Sequence, residues 1–289
     1  MKQRILFSVA ALIAVWLAWI VAFRIIANDY ILPSFSETAA SLFQTLGEEA
    51  FWRALLITLG RTLLAFAVSI VLGVGLALLA RLFRGVRSFF APLISILRTL
   101  PTMAVILILL IWTTPLVAPV IVAGLVLFPA AYAAALTAMD EVHESYGALS
   151  RAYGIKRTRQ AFRMYLPLSA PSVLGQAGAI LSMGLKIAVS GEVLSSTAKS
   201  LGGMMQEAKL FLEMPRLLAL TLAAVLLGFL LEGLCALLAK LCVRWRRLSS
   251  RTSPNNTAAC GRSTIFLSRS KRAGSRRCSA RAAQARRRF

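Results

Sequence analysis

Long apolar runs separated by short charged clusters organise this chain. Ile5 to Phe23 and Thr62 to Ala80 carry no charged side chain, and Thr99 to Met139 is uncharged over a length that holds two helices, punctuated by Trp112, Thr113, Thr114 and Pro115. Two more runs follow, about Val173 to Gly191 with Lys186 inside it and Leu217 to Ala239 with Glu232 inside it. A helix needs about 20 apolar residues to cross the ~30 Å hydrocarbon core, because each residue rises about 1.5 Å and no water is present to satisfy an open backbone amide. The pattern predicts an all-α integral membrane protein with six transmembrane helices.

The clusters between the runs give the chain sides, since Lys and Arg collect on the cytoplasmic face of a bilayer. Lys2 and Arg4 precede the first run, which reads as an uncleaved anchor: it is longer than a secretory signal core and no small-x-small cleavage site follows. Asn28 to Phe51 holds Asp29, Glu37, Glu48 and Glu49 without Lys or Arg, whereas Arg81, Arg84 and Arg87 follow the second run. Arg151, Lys156, Arg157, Arg159 and Arg163 precede the fifth, and Lys240, Arg244, Arg246 and Arg247 follow the sixth. These clusters place both termini in the cytoplasm and residues 28–51 outside.

Composition agrees, with 58% hydrophobic residues and a mean hydropathy of +0.74. Most of the net charge of +22 lies in Arg244 to Phe289, which contains thirteen Arg, one Lys and no acid. Without apolar periodicity, residues 244–289 read as a disordered basic tail, either a segment drawn to anionic headgroups or the product of a shifted reading frame. No aromatic or groove-reading element accompanies those arginines, so no nucleic-acid partner is expected.

Candidate chemistry is sparse. The single His143 sits beside Glu141 and Glu144 on what reads as a solvated face, and the four cysteines show no paired spacing, so neither a metal nor a disulfide is expected. There is no His-Glu-x-x-His and no Gly-x-Ser-x-Gly, which argues against a membrane-embedded enzyme. Without a Gly-x-x-x-x-Gly-Lys-Ser/Thr loop, the chain has no nucleotide site of its own. Lys186, Glu192 and Glu232 stand out instead, because a charge near the bilayer centre costs about 2.5 to 3.5 kcal/mol on insertion scales. They are the candidates for a solute pathway, although Lys186 lies near the end of its run and also fits a snorkelling role or a pair with Glu192 or Glu232. Gly73 and Gly75 read as sites of close helix packing.

The hydrophilic stretch Asp140 to Pro167 is the most patterned internal segment. Val142, Tyr146, Leu149 and Tyr153 fall at helical spacing, Gly154 breaks the helix, and Thr158 is positioned to cap a second helix that places Phe162 and Leu166 on one face and ends at Pro167. Gly154 is followed by nine residues and then Met164-Tyr165-Leu166-Pro167. This pattern resembles the coupling loop of ABC importer permeases, in which Glu-Ala-Ala, three residues, Gly, nine residues, an apolar residue, any residue and Leu-Pro follow in order. The Glu-Ala-Ala positions here read Ala148, Leu149 and Ser150, with Glu144 one helical turn earlier as a substitute acid. Phe51-Trp52-Arg53, Thr58, Arg61, Arg98-Thr-Leu-Pro101, Glu192-Val-Leu, Leu201-Gly-Gly203 and Phe211-Leu-Glu213 are similar to the nitrate, sulfonate and taurine branch of that family.

The resemblance implies a type I importer permease core: residues 1–50 as first helix and outer loop, 51–243 as a five-span core with the coupling loop at 140–167, and 244–289 as tail. It implies that a short helix around Ala152 to Ile155 docks on a separate ATPase, with Glu144, Ala152, Tyr153, Gly154, Ile155, Leu166 and Pro167 as coupling residues. The chain would need no cofactor of its own, ATP being bound by the partner. The partners implied are a second permease copy forming a homodimer, two cytoplasmic ATPase subunits, an extracytoplasmic solute-binding protein and the bilayer. Function would be the passage of a small, anionic or sulfonate-like solute; the alternatives are a passive six-span channel or scaffold, and an enzyme.

Overall fold

A computed structural model describes residues 33–251, together with Phe7, Ala10, Ala14, Trp16–Val21 and Phe23–Ile25. The predicted first span, Ile5 to Phe23, is described only in part, and most of the basic tail lies outside the described residues.

The loop expected between the first two runs contains a helix, α1 (Phe35–Gly47). Its start is written locally: the Ser34 hydroxyl accepts from the Glu37 amide while the Glu37 carboxylate accepts from the Ser34 amide, so two orphan donors are satisfied reciprocally. The first long helix, α2 (Glu49–Leu82), begins well before the predicted Thr62 and carries Arg61 within it. A 94° bend then joins α3 (Arg84–Thr99) to α4 (Thr102–Trp112), an 11-residue helix. The break falls at Leu100 and Pro101, where Pro101 has no amide to continue the ladder. Helix α5 (Ala118–Ala152) is followed by the short α6 (Arg157–Gln160), a π turn (Ala161–Tyr165) and α7 (Leu166–Leu194), the last three forming one continuous rod. A short α8 (Leu201–Leu210) and the long α9 (Met214–Arg251) complete the order.

Four of these helices are long and apolar enough to cross a membrane, and the bent α3–α4 pair, if counted as one broken span, brings the number among the described residues to as many as five. The uncharged run from Thr99 to Met139 therefore divides differently from expectation: α4 is the second half of the bent pair, and α5 starts at Ala118. Helix α9 continues to Arg251, so the tail expected from Arg244 begins with helix.

The bundle is built on small residues. Along α2 the buried positions after Phe51 are Ala54, Thr58, Thr62, Ala65, Ser69, Gly73, Ala77 and Ala80, at spacings of three and four. Lipid supplies no hydrophobic drive between apolar helices, so van der Waals packing and close approach hold them, and small side chains permit both. A Cβ at Gly73 would lie 2.8 Å from the Tyr132 amide nitrogen and 2.9 Å from the Ala131 Cβ, so α2 and α5 touch backbone to side chain there. Gly75, by contrast, faces open space. Beside this contact the Ser69 hydroxyl donates to the Gly124 carbonyl at 3.1 Å.

Candidate functional site

The expected turn at Gly154 is present and caps α5. Gly154 has φ +61°, the Ile155 amide reaches back to the Ser150 carbonyl, and the Gly154 amide to that of Arg151. This is the paired ending in which a left-handed residue satisfies the last carbonyls, and only glycine adopts that φ at no steric cost. Three expectations need correction. Ala152 to Ile155 is a turn rather than a short helix, because that cap ends α5 at Ala152. Nor does Pro167 close a helix: the π turn, with the Leu166 amide bonded to the Ala161 carbonyl, shifts the ladder just ahead of Pro167, and the rod continues to Leu194. Thr158 makes no cap, the N-cap position being Lys156.

Glu144, Ala152, Tyr153, Gly154 and Ile155 are all exposed at this end of the molecule, as is Leu166, with Pro167 half-buried behind them. Among the expected apolar positions only Val142 is buried. Tyr146, Leu149, Tyr153 and Phe162 are exposed, Tyr153 by 76%.

About three helical turns before the end of α5, a polar joint links three helices and the π turn. Asp140 on α5 receives Arg81 from α2 at 3.3 Å and Arg87 from α3 at 3.2 Å. The Arg81 guanidinium also lies over the Tyr165 ring, 5.6 Å from its centre. His143, expected on a solvated face, is half-buried instead, with its Nδ1 2.7 Å from the Tyr165 hydroxyl. Tyr165 is itself buried, because the π turn swings it inward.

Farther along α7, a cavity of about 500 Å³ opens between α7 and α9, with Met103 of α4 and Met205 of α8 in its wall. Lys186 and Glu232 both line it, in a wall otherwise made of Leu185, Val189, Val225, Phe229 and similar side chains with a few hydroxyls. Neither of the two charges takes part in an ion pair among the described residues.

Glu192 belongs elsewhere. It is fully buried and absent from the cavity wall. Its carboxylate accepts from the Thr58 hydroxyl at 2.8 Å, Arg61 Nη1 at 3.0 Å and the Gly202 amide at 3.3 Å, while the Thr58 oxygen accepts from the Leu201 amide at 3.0 Å. The partner of Glu192 is thus Arg61 and not Lys186. This explains why α2 could begin so early: Arg61 looks like a span boundary in the sequence, but it is neutralised within the bundle. The remaining signal for the cluster is present in the chain as Thr58, Arg61 and Leu201-Gly-Gly203, residues that only the fold joins.

A family model described as "Binding-protein-dependent transport system inner membrane component" matches residues 69–242. The taurine transport system permease protein TauC of Escherichia coli (strain K12) is 26% identical over 237 residues, covering 80% of this chain and 85% of that protein. Two solved structures share the fold. One, of inward-facing conformations of the MetNI methionine ABC transporter, gives a TM-score of 0.57 at 17% identity, over 66% of this chain and 95% of the other. The second, an amino acid ABC transporter with histidines, gives 0.55 at 16% identity, over 68% and 93%.

Proposed function

This chain belongs to the family of binding-protein-dependent transport system inner membrane components, and on that premise we propose how it takes part in import. It is a permease subunit of an ABC importer, a multi-pass protein of the bacterial inner membrane, whose family works with an ATPase and a solute-binding protein. The Gly154 end is cytoplasmic and the α8 end extracytoplasmic. Arg81, Arg84, Arg87, Arg151, Lys156, Arg157, Arg159 and Arg163 crowd the first, while Glu48, Glu49, Glu207 and Glu213 lie at the second among fewer cations. Counting the bent α3–α4 pair as one crossing and the first run of the sequence as another makes six, which would put both termini in the cytoplasm.

The observation that carries the mechanism is the exposed apolar turn. Tyr146, Leu149, Tyr153, Ile155 and Phe162 are exposed along the segments that flank a glycine-capped corner at the most basic end of the bundle. A partner groove would cover them, and the ATPase subunit is the partner that fits. Glu144, Ala152, Tyr153, Gly154 and Ile155 would make the contact, and Leu166 and Pro167 lie where the loop enters α7. Two ATPase subunits closing around ATP would push this corner on each of two identical permease chains. Movement would pass along the rod from Arg157 to Leu194 and through the Asp140 joint to α2 and α3.

The cavity between α7 and α9 is the proposed solute path. Lys186 offers a cation and Glu232 an anion inside an apolar wall, which suits a small solute with a sulfonate or other anionic group, and one that also carries an amine best of all. Taurine, named for the relative, is such an aminosulfonate. Lys186→Met should abolish uptake of such a solute by reconstituted vesicles and leave the complex assembled; unchanged uptake would remove Lys186 from the path.

Gly154→Asp tests the docking. A Cβ and a charge at φ +61° should distort the corner, so the variant, co-expressed with its candidate ATPase, should lose association or solute-driven ATP hydrolysis. If the unaltered chain co-purifies with no ATPase, a passive channel becomes the better account.

A further inference from the structure

We propose that Glu192 is a positioning residue for the extracytoplasmic gate: its carboxylate locks α8 across one end of the solute cavity, and the path opens on that side when this lock is released. The inference rests on the permease reading above but concerns residues that touch no solute.

Three observations converge on it. First, one buried carboxylate gathers three separate elements, α2 through Thr58 and Arg61, α7 on which it resides, and the first turn of α8 through the Gly202 amide. Second, α8 has no room to sit differently while the lock is made. A Cβ at Gly202 would come within 2.7 Å of the Val189 carbonyl oxygen and would collide with Glu192 itself, so the start of α8 lies directly on the last turns of α7. Third, α8 is part of the cavity boundary: Met205, four residues after Leu201, lines the same space as Lys186 and Glu232. The connection from α7 to α8 holds Ser196 and Lys199 at φ 48° and 54°, a conformation that non-glycine residues adopt at a cost. That cost gives the segment another conformation to relax to once its contacts are lost.

Charge makes the lock a switch rather than a weld. An ionised carboxylate can remain buried only while its donors stay in place, so losing Arg61 or the Gly202 amide weakens the rest, and the cluster opens as a unit. A solute-binding protein arriving at this face would need to shift only α8 or α2 to trigger that release.

The test uses the complete complex in proteoliposomes with its ATPase and binding protein, and a permease whose four cysteines are replaced and Met205→Cys is added. In this parent the introduced thiol should react slowly with a membrane-impermeant reagent applied outside. Glu192→Gln keeps the shape but removes the charge opposite Arg61; Thr58→Val removes a donor to Glu192 and the acceptor of the Leu201 amide. Each should speed labelling about tenfold or more, the size expected for one charged hydrogen bond. Each should also let ATP hydrolysis proceed without solute-loaded binding protein, while uptake falls. The proposal is overturned if both variants label and hydrolyse ATP as the parent does, if the thiol at position 205 already reacts fast in the parent, or if neither variant assembles, which would leave the cluster a folding element. A parent complex that shows no ATP-driven uptake at all would instead defeat the permease reading.

Discussion

Glu192 and Asp140 do the same job at opposite ends of the bundle, each drawing an arginine of α2 onto another helix, but they do it under different conditions of burial. Glu192 is shut away from solvent with its acceptors engaged by a hydroxyl, a guanidinium and a backbone amide. The Asp140 side chain is 30% exposed and divides itself between Arg81 and Arg87, the second of which is 48% exposed, and Arg81 Nε finds no partner among the described residues. Breaking a buried pair strands a charge in low dielectric, whereas a partly solvated pair can exchange a protein partner for water at little cost. The α8 end is therefore suited to all-or-none behaviour. The Gly154 end can deform gradually as the coupling corner is pushed.

Glu192→Leu should show the largest effect of any change in this comparison. It leaves Arg61 facing an apolar side chain, and thermal unfolding of the detergent-purified protein should register a loss of about 3 to 5 kcal/mol. Adding Arg61→Met should restore much of that loss, because the stranded charge goes with it. A loss no larger than that of the Asp140 variants, or no recovery in the double variant, would erase the distinction between the ends.

How much of this is legible in the sequence depends on whether a signal is local. Gly154 followed by nine residues and Met-x-Leu-Pro locates the corner, because a helix cap needs only neighbouring residues. Lys186 and Glu232 stand out as lone charges in apolar runs, and the fold brings both to one cavity. Glu192 reads as a pathway residue but is buried away from the cavity wall, for the opposite reason: its partners lie 134 and 131 positions earlier, and nothing local distinguishes a saturated carboxylate from an open one. The same distance effect misplaces the start of α2, since Arg61 counts as a boundary until Glu192 is known to face it. His143 reads as solvated because its partner, Tyr165, reaches it only through the π turn. The 94° bend between α3 and α4 is hidden inside an uncharged run, where a register of polarity carries no information.

At the compliant end the expected effects are smaller in stability and appear in coupling instead. Asp140→Asn keeps the size of the side chain and some hydrogen bonding to Arg81 and Arg87, so unfolding should change by no more than about 1 kcal/mol. Solute imported per ATP hydrolysed should nevertheless fall severalfold, because α2 and α3 no longer follow the loop. Asp140→Glu should recover part of that ratio by restoring the charge. A variant that lost stability and kept its ratio would make Asp140 a structural tie like Glu192.

Tyr165→Phe is the finest probe. It removes only the hydroxyl 2.7 Å from His143 Nδ1 and leaves the ring beneath Arg81 and the buried packing intact. One neutral hydrogen bond contributes about 0.5 to 1.5 kcal/mol, so the protein should unfold slightly earlier and still bind its ATPase. If the joint transmits through the whole cluster, import per ATP should drop modestly, by less than in Asp140→Asn, and Asp140→Asn together with Tyr165→Phe should cost less than the two losses combined, as expected for residues in one network. Fully additive losses would show that the π turn and the arginine pair act as separate links, and that the rod from Arg157 to Leu194 moves without help from α2.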